Sequence, residues 1–335
     1  MTGLRPARTG LAAAVLAAAV GFPALAEVPK QALAQANAAL QAGEADKALA
    51  LLGSVSKTGV EQAEAQNLEC RVEYTLEHWD AAANACQQAV NLDGQNSAYH
   101  MWLGRALGEK ANRASFLNAY SLGKRVRVEF EEAVRLNPRN AEALADLGDF
   151  YQAAPGVVGG GLDKAEGVAA QLDKVDPARA HELRGRIGVQ RKDYGTAERE
   201  FKQAIAVSQH PAFQWTTLAA FYRERRQWTE MEAAVHSCVS AAERDRHAGV
   251  PLYDGATLLI STNRDLALAA RMLESYLAGS AKTEEAPAFV AHTRLARVKK
   301  QMGNLAAAKQ EQAAALALAH EYRPAQDLTI EETRH

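Results

Sequence analysis

The sequence predicts an all-α solenoid built from about eight helical hairpins. The segment Phe130–Tyr151 shows the pattern best: one helix ends, a Pro-Asn turn follows, and Leu144, Leu147, Gly148 and Tyr151 open the next helix at i, i+3, i+4, i+7 spacing. Small residues recur along the chain at a period near 34 residues. The composition is 48% hydrophobic but only 6% aromatic, and alternating β-branched runs are few. Strands are therefore not indicated.

Each hairpin is aligned on a small residue near the middle of its first helix, where two helix backbones can approach closely. These residues are Ala36, Cys70, Gly104, Gly148, Gly185, Ala219, Gly255 and Ala296. The first two steps are both 34 residues, whereas the later steps of 44, 37, 34, 36 and 41 residues mostly exceed the period. The longer steps predict insertions within the repeats.

The first four repeats contain both large insertions. Repeat one is predicted at Pro29–Val60, with its turn at Gly43, and repeat two continues to about Gln95. Repeat three begins near Ser97 and carries about six extra residues around 112–122. Repeat four contains the Gly-rich insertion AAPGVVGGGLDKA, residues 153–165, which predicts an ordered turn that widens the repeat.

The second half of the chain contains repeats five to eight, of which repeat seven is the weaker match. Repeat five is predicted at 176–207, repeat seven at roughly 251–277 and repeat eight at roughly 288–320, and the first helix of repeat six contains residues 215–222. The solenoid is thus predicted over residues 27–322, and the polar tail 323–335 is expected to fray.

The N-terminus reads as a separate element. Arg5 and Arg8 precede an apolar run over residues 10–22, and the sequence Ala24-Leu25-Ala26 offers an A-x-A cleavage site. This pattern predicts a signal peptide, residues 1–26, cleaved after Ala26. It predicts a periplasmic protein with no stable membrane anchor after cleavage. The remaining chain would carry a net charge of about -4.

The repeat pattern resembles the tetratricopeptide repeat (TPR) family, whose motif W-x2-L-G-x2-Y is matched most closely at Trp215, Leu218, Ala219 and Tyr222. The resemblance covers about residues 29–320 and implies a right-handed superhelix with a concave surface for a protein or peptide partner. The middle repeats are also similar to the regulator-of-microtubule-dynamics family and to exported bacterial TPR proteins. The Lys/Asn clamp of TPR co-chaperones is not expected, because Leu33 and Leu68 stand at two of its positions.

Residues just after the small residues, and one turn further on, are predicted to face the concave groove. The candidate partner-binding residues are Arg71, Tyr74, Arg105, Asp149, Arg186, Arg223 and Arg297. Arginine holds carboxylates bidentately, so this register favours an acidic partner. The alternative is that these arginines are ordinary solvated charges, paired across repeats with acids such as Asp149 and Glu182.

Cys70 and Cys86 are predicted to form a disulfide. One is the small residue of a first helix, and the other lies on the facing second helix. An oxidising compartment permits the bond, which would stabilise the fold by about 3 kcal/mol in the chain-entropy model. The alternative is two buried thiols. Cys238 is expected to be a buried free thiol.

The function predicted is a non-catalytic interaction scaffold without a metal or other cofactor. The nine histidines are scattered, and no metal-binding or nucleophile motif appears. The net charge of -2 and the absence of a basic stripe argue against nucleic acid as a partner. Two alternatives remain open: a small-ligand or enzymatic site at the Gly-rich insertion 154–164, and a structural self-assembly unit.

Overall fold

The computed structural model describes residues 27–55 and 60–331, and within them it is all-helical with seventeen α-helices. The predicted signal peptide, residues 1–26, lies outside the described residues. Sixteen helices pair into eight consecutive hairpins, which confirms the predicted fold class. Among the described residues, no helix combines the length and apolar character needed to cross a bilayer.

Odd-numbered helices are the first helices of the hairpins and form one layer. They are α1 (Glu27–Ala42), α3 (Val60–Thr75), α5 (Ser97–Arg113), α7 (Ala141–Ala153), α9 (Pro177–Gln190), α11 (Pro211–Glu224), α13 (Gly249–Ser261) and α15 (Ala288–Gln301). Each packs on the next odd-numbered helix, so this layer is continuous from α1 to α15.

Even-numbered helices are the second helices of the hairpins, each packed on its own first helix. They are α2 (Ala45–Leu52), α4 (Trp79–Leu92), α6 (Phe116–Leu136), α8 (Leu162–Leu172), α10 (Tyr194–Val207), α12 (Trp228–Ala242), α14 (Leu266–Ala278) and α16 (Leu305–Leu318). A short helix, α17 (Arg323–Gln326), follows α16.

The short turns within the hairpins share one backbone conformation. In six of the eight hairpins a residue with positive φ joins the first helix to the second: Gly43, Glu77, Lys192, Arg226, Asn263 and Gly303. The left-handed conformation lets the chain reverse within two to four residues. The other two hairpins have longer connections that carry the predicted insertions. No positive-φ residue lies between α5 and α6, whereas the Gly-rich insertion between α7 and α8 contains Gly159 and Gly161 with positive φ.

Both insertions are ordered. The extra residues near 112–122 mostly lengthen α6, which begins at Phe116 and spans 21 residues. The Gly-rich insertion forms a 3-10 turn, Gly156–Val158, which packs against α6.

The small residues predicted at the hairpin contacts are buried against the second helix. A Cβ atom at Gly104 would lie 2.5 Å from the ring of Phe130, and one at Gly185 would lie 2.5 Å from the ring of Phe201. Each glycine therefore allows an aromatic side chain of the second helix to cross the first helix closely.

A pair of substitutions in α5 tests this packing. Gly104→Ala is expected to lower the free energy of unfolding by about 1–3 kcal/mol, because the added methyl group overpacks against Phe130. Gly108→Ala is expected to raise it by about 0.5–1 kcal/mol, because no heavy atom outside the helix backbone lies within 4 Å and alanine favours the helix. Urea unfolding measures both, and equal responses would contradict the close contact at Gly104.

The two ends of the solenoid pack on each other and close the row of hairpins into a ring. One apolar cluster contains Leu33 and Leu40 of α1 together with Phe289 of α15 and Ala315 of α16. A Cβ atom at Gly43 would lie 2.3 Å from the backbone nitrogen of Ala288. Each end thus covers the apolar face that a terminal repeat would otherwise expose.

Polar contacts reinforce the closure. Asp46 accepts a hydrogen bond of 2.9 Å from the backbone nitrogen of His320 and lies 2.9 Å from its Nδ1 atom. Tyr322 donates a 3.4 Å hydrogen bond to Glu77. These pairs join residues 274 and 245 positions apart in sequence.

The C-terminal segment corrects one expectation. The sequence predicts that residues 323–335 fray, but as far as residue 331 the segment is packed. Ala325 and Ile330 are buried, and Gln312 donates hydrogen bonds to the carbonyl oxygens of Ala325 and Leu328. The segment is mainly polar, but the apolar side chains of Ala325 and Ile330 are enough to anchor it.

Candidate functional site in the ring interior

The interior of the ring is lined by first helices and entered by one loop. This loop, residues 279–287, connects α14 to α15 and carries two consecutive acids, Glu284 and Glu285. Glu284 reaches α1 and α3, and Glu285 reaches the side lined by α9 and α13. The loop therefore brings two carboxylates to residues that lie far away in sequence.

Arg71, predicted to face the groove, is held by Glu284. Its Nε atom donates a 2.8 Å hydrogen bond to one carboxylate oxygen, and its terminal nitrogen contacts the other. Gln41 donates to the same carboxylate at 3.1 Å. Both partners of this pair are largely buried, so Arg71 is already engaged with a carboxylate from its own chain.

Arg71, Tyr74 and Arg105 meet around Trp102. The guanidinium carbons of Arg71 and Arg105 lie 5.5 Å and 4.7 Å from the centre of the Trp102 ring, within the range of cation–π attraction. Tyr74 packs edge-on against Trp102 at 5.6 Å. Burial, with Glu109 nearby, raises the pKa of Tyr74 to about 12, so its hydroxyl stays neutral.

Arg105 forms a second ion pair in the ring interior. Its Nε atom lies 2.6 Å from a carboxylate oxygen of Asp146 in α7. Burial raises the pKa of Asp146, and the adjacent Arg105 opposes that rise. A charged pair removed from water in this way is costly to break, because it would leave one charge buried and unpaired.

Arg186 and Asp149, both predicted groove residues, bind each other. Their side chains lie 3.0 Å apart, and Glu182 approaches Arg186 to 3.8 Å. Glu182 also accepts a 3.1 Å hydrogen bond from the buried amide of Gln214. The structure thus brings Arg186 together with the two acids named as alternative partners.

The last two predicted groove residues lie apart from this network. Arg297 donates a 3.2 Å hydrogen bond to the carbonyl oxygen of Pro324 and lines a separate cavity of about 450 Å³ with Arg294 and Tyr322. Arg223 is half-buried, and no carboxylate of the described chain lies within salt-bridge distance of it.

One cavity of the ring interior has a volume of about 690 Å³. It is bordered by α9, α11, α13 and the 279–287 loop, with Arg179, Phe213, Val250, Asp254 and Glu285 among its lining residues. Arg179 is paired with Asp176 at 3.2 Å. Neither Asp254 nor Glu285 has a basic group within salt-bridge distance in the described part of the chain.

Asp254 and Glu285 are perturbed by their surroundings. Burial raises the pKa of Asp254 to about 6, and the neighbouring Glu285 adds to the rise while Arg294 opposes it. Burial and Glu142 raise the pKa of Glu285, against the effect of Arg105 and Arg179. The cavity therefore holds two carboxylates whose negative charge is incompletely compensated.

This perturbation predicts a pH-dependent stability difference. Because the folded state raises the pKa of Asp254 above its ordinary value, folding favours the protonated acid, and stability is lost as the pH rises from about 4 to about 6. Asp254→Asn removes that cost. We expect the variant to be more stable than wild type by about 3 kcal/mol at pH 7 and equal near pH 4, in urea unfolding.

Glu64→Gln is the matched control for this experiment, because Glu64 is exposed. Its stability difference from wild type should not change over the same pH interval. A constant difference between Asp254→Asn and wild type across the interval would contradict the raised pKa.

Comparison with known proteins gives structural similarities only. No protein-family model and no curated protein matches the chain. A thermophilic TPR protein of Thermus thermophilus is 17% identical with a TM-score of 0.48, over 58% of this chain and 98% of that one.

Two further solved structures are also TPR proteins. YrrB, described as having an unusual peptide-binding site, is 16% identical with a TM-score of 0.35, over 59% of this chain and 96% of that one. A TPR protein of Parabacteroides merdae is 15% identical with a TM-score of 0.37, over 79% and 99%. The architecture of this chain rests on its own helices and contacts.

Several interior residues lie outside the positions that the sequence predicts for the groove. Trp102 stands two positions before Gly104, and a tryptophan so close to the small residue of its repeat could have indicated an interior position. Asp146 lies two residues before Gly148 and faces Arg105 across neighbouring hairpins. Glu284 and Glu285 belong to a loop outside the repeat register, and no local pattern marked them.

Proposed function

We propose that this protein is an interaction scaffold that binds a polypeptide segment inside the ring. The observation that carries the proposal is the 690 Å³ cavity, which combines apolar side chains with the unpaired carboxylates of Asp254 and Glu285. A concave, partly apolar site with a few polar groups is the usual form of a binding site. We propose no catalytic role.

The charge balance favours a segment with basic side chains or a free amino group. The sequence favours an acidic partner, because several arginines share the groove register. Arg71, Arg105 and Arg186 each have a carboxylate partner in the chain, so an acidic ligand would have to displace Glu284, Asp146 or Asp149. A basic ligand would instead meet Asp254 and Glu285 without breaking an ion pair.

We also propose that the protein acts in the periplasm, on the basis of the signal sequence predicted at residues 1–26. The paired cysteines support an oxidising compartment. The Gly-rich insertion gives little support to the small-ligand alternative, because it packs on α6 and Lys164 donates to its Gly159 carbonyl at 2.8 Å.

Binding of two labelled peptides of equal length, oligolysine and oligoglutamate, tests the proposed ligand chemistry. We expect the protein to bind oligolysine, and Asp254→Asn with Glu285→Gln to weaken binding roughly tenfold or more, as expected for loss of charged hydrogen bonds. Glu64→Gln with Asp163→Asn removes two acids outside the cavity and should leave binding unchanged. Preference for oligoglutamate, or equal binding by the interior variant, would overturn the proposal.

A further inference from the structure

The two insertions pack against each other, and we call the start of α6 together with the 3-10 turn the protrusion. A Cβ atom at Gly123 of α6 would lie 3.3 Å from Val158 in the 3-10 turn, and one at Gly159 would meet the side chain of Arg127. The lengthened start of α6 and the Gly-rich turn therefore support each other. The start of α6 belongs to hairpin α5–α6 and the Gly-rich turn to hairpin α7–α8. These are the two hairpins that lack the short positive-φ turn.

The protrusion presents large apolar side chains to solvent. Phe116 is 84% exposed, Leu117 is 78% exposed, and Val157 of the 3-10 turn is 70% exposed. Tyr120 and Val128 continue the exposed apolar surface along α6. A concentration of such residues on one feature commonly marks an interaction site.

The end of α5 and the adjoining start of α6 are also rich in basic residues. Residues 110–128 contain five basic residues and no acid, although the whole chain has a net charge of -2. Three of the five are paired with acids outside this stretch: Lys110 with Asp80, Arg113 with Glu109 and Arg127 with Glu131.

Lys124 and Arg125 are the two basic residues of this stretch that have no carboxylate partner in the described chain. Lys124 lies 4.3 Å from the centre of the exposed Tyr120 ring. Arg125 donates a 2.7 Å hydrogen bond to the neutral side chain of Gln87. The uncompensated positive charge therefore lies beside the exposed apolar residues.

We propose that this protrusion binds the surface of an anionic phospholipid membrane. Phe116, Leu117 and Val157 would enter the interfacial region, where apolar and aromatic side chains are favourable. Lys124 and Arg125 would lie at the level of the anionic headgroups, each contributing about 1 kcal/mol, or about fivefold in affinity. The site is distinct from the ring interior, so the proposal goes beyond the interaction-scaffold function.

A lipid surface fits these residues better than a protein partner does. The apolar side chains belong to a helix start and a short turn, and Phe116, Leu117 and Val157 are each at least 70% exposed. An interfacial membrane segment combines an apolar tip with flanking lysine and arginine, and both features are present here.

Vesicle co-sedimentation tests the proposal, with the protein purified in the form that its cells accumulate. The probes are vesicles of phosphatidylcholine alone and vesicles that also contain phosphatidylglycerol. We expect binding only to the second kind, weakened about tenfold or more by Phe116→Ser with Leu117→Ser and again by Lys124→Gln with Arg125→Gln. High salt should weaken the binding of the wild type.

Matched controls change similar residues elsewhere. Met302→Ser removes an exposed apolar side chain, and Lys174→Gln with Lys309→Gln removes two exposed charges. Both should bind vesicles as the wild type does. Equal binding by the protrusion variants, no binding by the wild type, or capture of a protein by the wild type in place of vesicles would overturn the proposal.

Discussion

Phe289→Ala is expected to destabilise the protein by about 3–5 kcal/mol, the usual cost of truncating a buried aromatic residue. Phe289 is only 1% exposed, and its ring packs edge-on against Tyr322 at 4.9 Å. It also contributes to the cluster that contains α1 residues. The substitution would therefore leave a cavity where the two ends of the solenoid meet, and urea unfolding would measure the loss.

Phe116→Ala is the matched control, since Phe116 also lies in the first turn of its helix but is 84% exposed. Its effect should remain within about 0.5 kcal/mol, as is typical of surface substitutions. If Phe289→Ala were as mild as Phe116→Ala, the apolar contact between the ends would be absent in solution.

Reduction of the disulfide should produce the second large effect. The structure pairs Cys70 with Cys86, with Cα atoms 5.1 Å apart and 16 residues of separation. Opening a loop of this size would lower the free energy of unfolding by about 3 kcal/mol in the chain-entropy model. Urea unfolding with and without a reductant, with thiol titration to confirm reduction, measures the difference.

Cys238→Ala provides the control for the reductant. Cys238 is a buried free cysteine, and burial raises the pKa of its thiol to about 12, so it is a poor nucleophile. The variant should lose as much stability on reduction as the wild type. Unchanged stability of fully reduced protein would contradict the contribution of the disulfide.

The repeat architecture could be predicted because its signals are local. Leu144, Leu147, Gly148 and Tyr151 all fall on the buried side of α7, as their spacing requires. Cys70 and Cys86 face each other because they lie in one hairpin. The positive-φ turns were harder to predict from the sequence. Four of the six residues are not glycine, and a glutamate or lysine does not indicate a turn.

The interior could be predicted only in part. The register places Arg71, Tyr74 and Arg105 together on one wall, because neighbouring repeats share the same geometry. Their partners depend on long-range contacts: Glu284 is 213 residues from Arg71. Closure of the ring likewise depends on how the small rotations between hairpins add up, which no single repeat encodes.

Scattered histidines illustrate the same limit. Three of them, His100, His181 and His292, stand four residues before the small residue of their first helix. Each pairs with a glutamate of its second helix, at 2.7, 2.7 and 2.6 Å respectively. The shared position of these histidines is visible in the sequence. Their glutamate partners can be identified only from the packing of the two helices of each hairpin.

Cross-linking across the seam tests the closed ring most directly. With Asp46→Cys and His320→Cys in one chain, a short thiol-reactive cross-linker should join the two ends within a single molecule, because these residues are in hydrogen-bond contact. Asp46→Cys with Asp163→Cys should not cross-link within the molecule, since residue 163 lies in the first turn of α8 in the fourth hairpin. Efficient cross-linking of the first pair alone is the result that the closed ring predicts. Failure of the first pair to cross-link in the folded monomer would contradict it and indicate an open solenoid.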